Sequence, residues 1–78
     1  MLNKEQLKTL EKIRATKPDR CMLALCQAVE DGITVHDHAL LHNRVEKAYK
    51  EMDGKHRSGS YIMRVFKRTL TYLYNELY

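Results

Sequence analysis

The sequence predicts an all-α fold, a compact bundle or array of four short helices that forms a single helical domain over residues 1–78. Three observations lead to this prediction. Apolar residues recur at helical spacing in four segments. Each segment opens on a residue able to cap a helix. Three glycines and one proline are too few for a chain of many short strands and turns, so no significant sheet is expected.

The first predicted helix covers about residues 4–15. Asn3 and Gln6 have the spacing of a capping box, in which each side chain bonds the other residue's backbone N–H. An apolar stripe follows at helical spacing: Leu7, Leu10 and Ile13.

The second predicted helix has its cap at Thr16 and carries Pro18 in its first turn, where a missing N–H costs nothing. Residues 21–29 are apolar nearly all round the helix, so this element is expected to be the most buried. Gly32 is expected to end it as a left-handed C-cap.

The third predicted helix starts at Thr34, with Asp37 as its capping partner, and runs about 18 residues to Met52. The fourth covers about residues 60–77, and Ser58 or Ser60 caps it. Its apolar stripe consists of Ile62, Val65, Phe66, Leu70, Leu73 and Leu77.

Several functional classes are excluded by patterns that are missing. No apolar run approaches the roughly 18 residues that span a bilayer, and the N-terminal segment lacks a secretory signal, so we expect a cytoplasmic protein without membrane contact. Cys21 and Cys26 lie in an apolar run and are expected to be buried free thiols. No nucleophile triad, phosphate-binding loop or dinucleotide motif is present, so the protein is not expected to be an enzyme or to need a cofactor.

The positive charge of the chain is unevenly distributed. The formal net charge is +4. Residues 44–68 contain eight Lys or Arg and three acids, which gives +5, whereas residues 21–43 contain three acids and no Lys or Arg, which gives −3. Such a concentration of basic side chains attracts polyanions.

The basic segment predicts a nucleic-acid interface. A loop containing Gly and Ser feeds the start of the fourth helix, and basic residues at i, i+3 and i+4 follow on that helix. We therefore expect a small regulatory or accessory protein that binds the phosphate backbone of nucleic acid. The predicted contact residues are Lys55, Arg57, Ser58, Ser60, Arg64, Lys67 and Arg68.

The aromatic residues support an alternative. All five tyrosines follow residue 48, and one helix cannot bury them all, so some are expected to be exposed at an interface. This favours a homo-oligomer or a protein–protein interaction module, an inhibitor or adaptor of the kind found among phage and mobile-element genes. The predicted interface residues are Tyr61, Tyr72 and Tyr78. A small phosphorylated ligand bound by the loop 55–60 is a third, weaker alternative.

Two further sequence patterns, a helix-turn-helix spacing and a histidine cluster, give weaker indications of function. The spacing of Ala28 and Gly32 suits a helix-turn-helix, but the following helix has no Lys or Arg before Arg44, so helix three is not expected to read DNA. His38 and His42 lie four residues apart, near His36, yet too few further ligands accompany them to predict a metal site. These histidines are interpreted as a polar surface or as part of an interface.

Overall fold

The computed structural model describes residues 2–51 and 58–78. This part of the chain contains four α-helices, α1 (Lys4–Ala15), α2 (Arg20–Glu30), α3 (His38–Lys50) and α4 (Gly59–Leu77), and no strand. The all-α prediction is confirmed. None of the helices in these two ranges has the length and apolar character needed to cross a membrane.

Helix α1 begins at the predicted capping box. The Gln6 backbone N–H donates to Asn3 Oδ1 at 2.8 Å, and the Asn3 N–H donates to Gln6 Oε1 at 2.9 Å. Both bonds satisfy amide groups that the first helical turn leaves without a partner. The side-chain amide of Gln6 also donates to the Leu77 carbonyl at 3.2 Å, which joins the start of α1 to the end of α4.

The predicted start of α2 at Thr16 is wrong. Thr16 ends α1 instead, and its hydroxyl donates back to the Ile13 carbonyl at 2.6 Å. The residue before a proline avoids the helical region, and Lys17 adopts a left-handed φ of 53°. Lys17 therefore cannot belong to the helix, and Pro18 precedes it instead of lying in its first turn, because Asp19 is the cap and accepts a hydrogen bond from the Met22 N–H at 3.0 Å.

The predicted start of α3 at Thr34 is also wrong, by three residues. Asp37, expected as the partner of the cap, is itself the cap and accepts a hydrogen bond from the Leu40 N–H at 3.2 Å. Residues 34–37 form a turn closed by a bond from the Asp37 N–H to the Thr34 carbonyl. This turn places Val35 in the core, where it is buried. The predicted end at Met52 lies outside the described residues.

Gly32 ends α2 as predicted. Its φ is +99°, its N–H donates to the Val29 carbonyl, and the Ile33 N–H donates to the Ala28 carbonyl, both at 3.1 Å. This pair of bonds is a Schellman motif, which needs a residue in the left-handed region.

The core lies where α2 meets α3 and α4. Six of the eleven residues of α2 are buried, which confirms that it is the most buried element. Both cysteines are buried and unpaired, as expected. Helix α1 contributes a single buried residue, Leu10. The largest side chains without solvent exposure are Leu10, Leu25, Leu41, Leu73, Val45, Cys21 and Cys26.

A polar network surrounds the C-terminal end of α2, where the helix dipole disfavours negative charge. Arg14 of α1 lies 2.9 Å from the Glu30 carboxylate, and Arg44 of α3 lies 2.8 Å from that of Asp31. The hydrogen bond from Arg44, and next the one from Gln27, hold the pKa of Asp31 below its ordinary value. The network links α1, α2 and α3 at the molecular surface.

Candidate functional site

Helix α4 is positioned by its cap and by its apolar stripe. Ser58 precedes the helix, and its Oγ accepts a hydrogen bond from the Tyr61 N–H at 3.1 Å, so Ser58 and not Ser60 is the cap. The buried side chains are those of the predicted stripe: Ile62, Val65, Phe66, Leu70, Leu73 and Leu77. Because this stripe faces the core, residues on the other side of α4 face solvent.

The three predicted basic residues of α4, Arg64, Lys67 and Arg68, lie together on that solvent side. We call them the basic ridge. All three are exposed, and together with Ser60 and Thr71 they line one shallow concavity of about 540 Å³. The i, i+3, i+4 spacing of these three residues thus produces one continuous positive surface.

In the described part of the chain no cation of the basic ridge forms an ion pair, although Asp19 lines a neighbouring concavity together with Arg68. The two ion pairs found there involve Arg14 and Arg44, and no carboxylate oxygen lies within 4.0 Å of a ridge cation. The single acidic residue of α4 is Glu76, two turns beyond Arg68. An external anion that binds the ridge would therefore displace no ion pair within residues 2–51 and 58–78.

The remaining predicted contact residues have different positions. Lys55 and Arg57 lie outside the described residues. Ser58 uses its Oγ as the acceptor of the α4 cap, whereas Ser60 is exposed at the edge of the ridge concavity.

The three tyrosines predicted to form an interface lie in different parts of the structure. Tyr61 is half-buried and packs edge-to-face on Tyr49, with ring centroids 6.1 Å apart. Tyr72 is 53% exposed and lies beside Pro18 and Met22 on the side of α1 and α2. Tyr78 is 67% exposed and stacks obliquely on Tyr74 at 5.1 Å. The three predicted residues do not form one face, and their role in a partner or oligomer interface stays a prediction.

A second concavity, of about 820 Å³, lies between the start of α3 and the middle of α4. We call it the α3–α4 groove. Its lining includes His36, His38, His42, Phe66, Lys67 and Tyr74. The histidines, predicted to form a polar surface or part of an interface, thus lie against α4.

The aromatic and histidine rings that line the groove pack edge-to-face against one another. The centroids of His36 and Tyr74 are 5.9 Å apart, and those of His38 and His42 lie 6.3 Å and 5.3 Å from Phe66. His42 Nε2 is buried and has no hydrogen-bond partner within the ranges 2–51 and 58–78. Buried polar atoms without a partner are uncommon, so a ligand that bonds this nitrogen gains affinity.

The histidines do not form a metal centre with acidic or thiol neighbours. Within residues 2–51 and 58–78, no group of three His, Cys, Asp or Glu side chains is placed to hold a metal ion. The i, i+4 spacing of His38 and His42 instead directs both rings onto Phe66.

The two buried thiols show no sign of reactivity. Burial raises the pKa of the Cys21 thiol to about 11, against a smaller lowering by a hydrogen bond with Thr69. Burial also raises the pKa of Cys26. A nucleophilic thiol needs an accessible setting that lowers its pKa, and neither cysteine has one.

No protein-family model matches this chain, and neither the curated proteins nor the solved structures contain a significant match to it. The chemistry of the basic ridge and of the α3–α4 groove is therefore the basis on which a function is inferred.

Proposed function

We propose that the protein is a small regulatory or accessory protein that binds the phosphate backbone of nucleic acid through the basic ridge of α4. The observation that supports this proposal is the meeting of Arg64, Lys67 and Arg68 on one exposed concavity, where none of them forms an ion pair with a carboxylate of the described residues. Neutralisation of phosphates by Lys and Arg, with release of bound counterions, is the main source of affinity in such complexes.

The spacing of the ridge suits a chain of phosphates. Four residues of helix separate Arg64 from Arg68, which corresponds to about 6 Å along the axis. Side chains of this length at that spacing reach neighbouring phosphates of one strand. Ser60 and Thr71 flank the cations and offer hydroxyl donors, which also bond phosphate oxygens.

The charge of the surrounding chain reinforces the ridge. Residues 58–71 contain three basic side chains and no acid. The sequence directly before Ser58 adds Lys55 and Arg57, which belong to the proposed contact surface on the strength of the sequence. A local excess of one sign attracts an anionic ligand more strongly than a net charge of +4 spread over the surface.

The proposal is tested by fluorescence anisotropy with labelled single-stranded and duplex oligonucleotides over a range of salt concentrations. The ridge variant replaces three cations by neutral side chains: Arg64→Gln, Lys67→Gln and Arg68→Gln. Each lost phosphate contact flattens the plot of log K against log salt by about 0.7 on single strands, so the slope is expected to fall by about 2. On duplex DNA the expected reduction is about 2.7, at about 0.9 per contact.

A matched control removes the same charge elsewhere. Lys4, Lys8 and Lys12 are exposed on α1, and their replacement by Gln also lowers the net charge by three. The control variant is expected to retain most of the affinity and most of the salt slope. Equal losses in the two variants, or binding by the wild-type protein that does not depend on salt, would refute the ridge as the contact surface.

A further inference from the structure

We propose that the α3–α4 groove receives an unstacked nucleobase of a strand whose phosphates lie on the basic ridge, which makes single-stranded nucleic acid the ligand. This inference rests on the function proposed above and assigns it a substrate class.

The groove and the ridge are continuous. Met63, Lys67 and Thr71 line both concavities. A strand that lies along the ridge therefore has its next sugar and base at the mouth of the groove. In a duplex the bases are stacked and paired inside the helix, so only a single strand, a loop or an end can place a base there.

The lining of the groove suits a base. Its two walls carry aromatic rings, with His36 and His38 from the α3 side and Phe66 and Tyr74 from α4. Tyr74 is 41% exposed, and His36 and His38 are exposed as well, so their rings are accessible to a ligand. Bases stack on aromatic side chains without regard to sequence, because every base has a π-face.

His42 supplies the polar contact. Its Nε2 is buried and has no hydrogen-bond partner among the described residues, and its ring is held against Phe66 at a centroid distance of 5.3 Å. An imidazole nitrogen donates or accepts according to its tautomer. The edge of a nucleobase presents both donors and acceptors, so a base that displaces the groups covering this nitrogen satisfies it in either tautomer.

The size and charge of the groove also favour this occupant. Its volume of about 820 Å³ lies within the roughly 300–1,000 Å³ of typical ligand sites. Lys67 lies at the border between the groove and the ridge, and none of the described residues that line the groove is an acid. A second copy of this chain is disfavoured, because docking by the symmetric face would bring two basic ridges together.

The test compares two strands of equal length and charge, an oligothymidylate and an abasic deoxyribose-phosphate strand. If a base enters the groove, the oligothymidylate binds about tenfold more tightly, the scale of one stacked base. Tyr74→Ala is expected to remove this preference and to leave the affinity for the abasic strand unchanged. His36→Ala, which removes the ring that contacts Tyr74, is a second variant with the same expected effect.

The matched control is Tyr72→Ala. Tyr72 lies on the same helix and is 53% exposed, against 41% for Tyr74, but it faces α1 and α2. This variant is expected to keep the preference for the strand that carries bases. Equal changes in the Tyr72 and Tyr74 variants would overturn the inference.

Three other results of these binding measurements distinguish a failure of the base site from a failure of the ridge function. Equal, salt-dependent affinity for the two strands would overturn the base site and leave the ridge function standing. Failure of both strands and of the duplex to bind would refute the ridge function and the base site together. Tighter binding of an acidic amphipathic peptide than of the strand, lost in Tyr74→Ala, would assign the groove to a protein partner instead.

Discussion

Replacement of Leu10 by alanine is expected to destabilise the protein by about 3 kcal/mol. Leu10 is fully buried and is the one buried residue of α1. The substitution removes three carbon groups, each worth about 0.8 kcal/mol of burial, or about 2.4 kcal/mol in total. The cavity that remains adds to this loss, and Leu→Ala changes in well-packed cores cost about 2.7–5 kcal/mol.

A loss of this size is large for so short a chain. At about 0.05–0.15 kcal/mol per residue, 78 residues give a free energy of unfolding of about 4–12 kcal/mol. Each kcal/mol shifts the Tm of a domain of this size by about 4–8 °C, so Leu10→Ala is expected to lower it by about 10–25 °C.

Urea unfolding followed by circular dichroism measures the change, and Leu7→Ala on the same helix is the control. Leu7 is 41% exposed, so the same chemical change there is expected to cost about 1 kcal/mol or less. Native-state hydrogen exchange adds a second measurement, because a helix with one fully buried side chain opens at lower free energy than the core helices. A cost below about 1 kcal/mol for Leu10→Ala, or equal costs for the two variants, would refute this account of how α1 is held.

Two further predictions concern the core thiol and the end of α2. Because burial raises the pKa of the Cys21 thiol from an ordinary 9.0 to about 11, the folded state keeps this proton when the unfolded state has lost it. The resulting contribution to stability is complete below about pH 9 and declines towards about pH 11. Between these pH values the urea midpoint is therefore expected to fall more steeply for the wild-type protein than for Cys21→Ala. Parallel curves for the two proteins would contradict the raised pKa of Cys21. Gly32→Ala is expected to cost about 1 kcal/mol in the same assay, because the φ of +99° strains any side chain although the space beside it is open. Gly59→Ala, in the first turn of α4 and equally open, is expected to cost nothing, and a neutral Gly32→Ala would count against the strain argument.

The fold was predictable from the sequence where local chemistry decides the structure. Asn3 with Gln6, Ser58 and Gly32 each act within a few residues of their own position. The capping box and the Gly32 C-cap are confirmed, and of the two serines predicted as the α4 cap the structure selects Ser58. The apolar stripe of α4 is periodic, so its buried face could be identified from spacing alone. The same periodicity is the reason why the basic ridge lies on the opposite, exposed side.

The two incorrect helix starts show where local patterns were ambiguous. Thr16 and Thr34 each precede an acid by three residues, which resembles a capping pair. The constraint of Pro18 on Lys17 prevents the first, and burial of Val35 in the core favours a turn over the second. The latter is a tertiary effect that a single segment does not reveal.

The α3–α4 groove could not be predicted from the spacing of residues within one helix. The interval between His38 and His42 predicts that they share a face of α3, but not which helix that face meets. Their contact with Phe66 depends on how α3 packs on α4, two elements whose contacting residues lie more than twenty positions apart. The groove could have been predicted only by comparing the face of α3 that carries the histidines with the face of α4 that carries the aromatic residues.

The hydrogen bond between Gln6 and Leu77 has a consequence for the order of folding. It joins residues 71 positions apart, and the entropy lost in closing a loop increases with its length. Helices α2 and α3 are connected by residues 31–37 alone, so their pairing closes a far shorter loop. We therefore expect the contact between the start of α1 and the end of α4 to form after α2 and α3 have paired, so that Leu77→Ala accelerates unfolding and leaves the refolding rate unchanged, whereas slower refolding would place this contact in the folding nucleus.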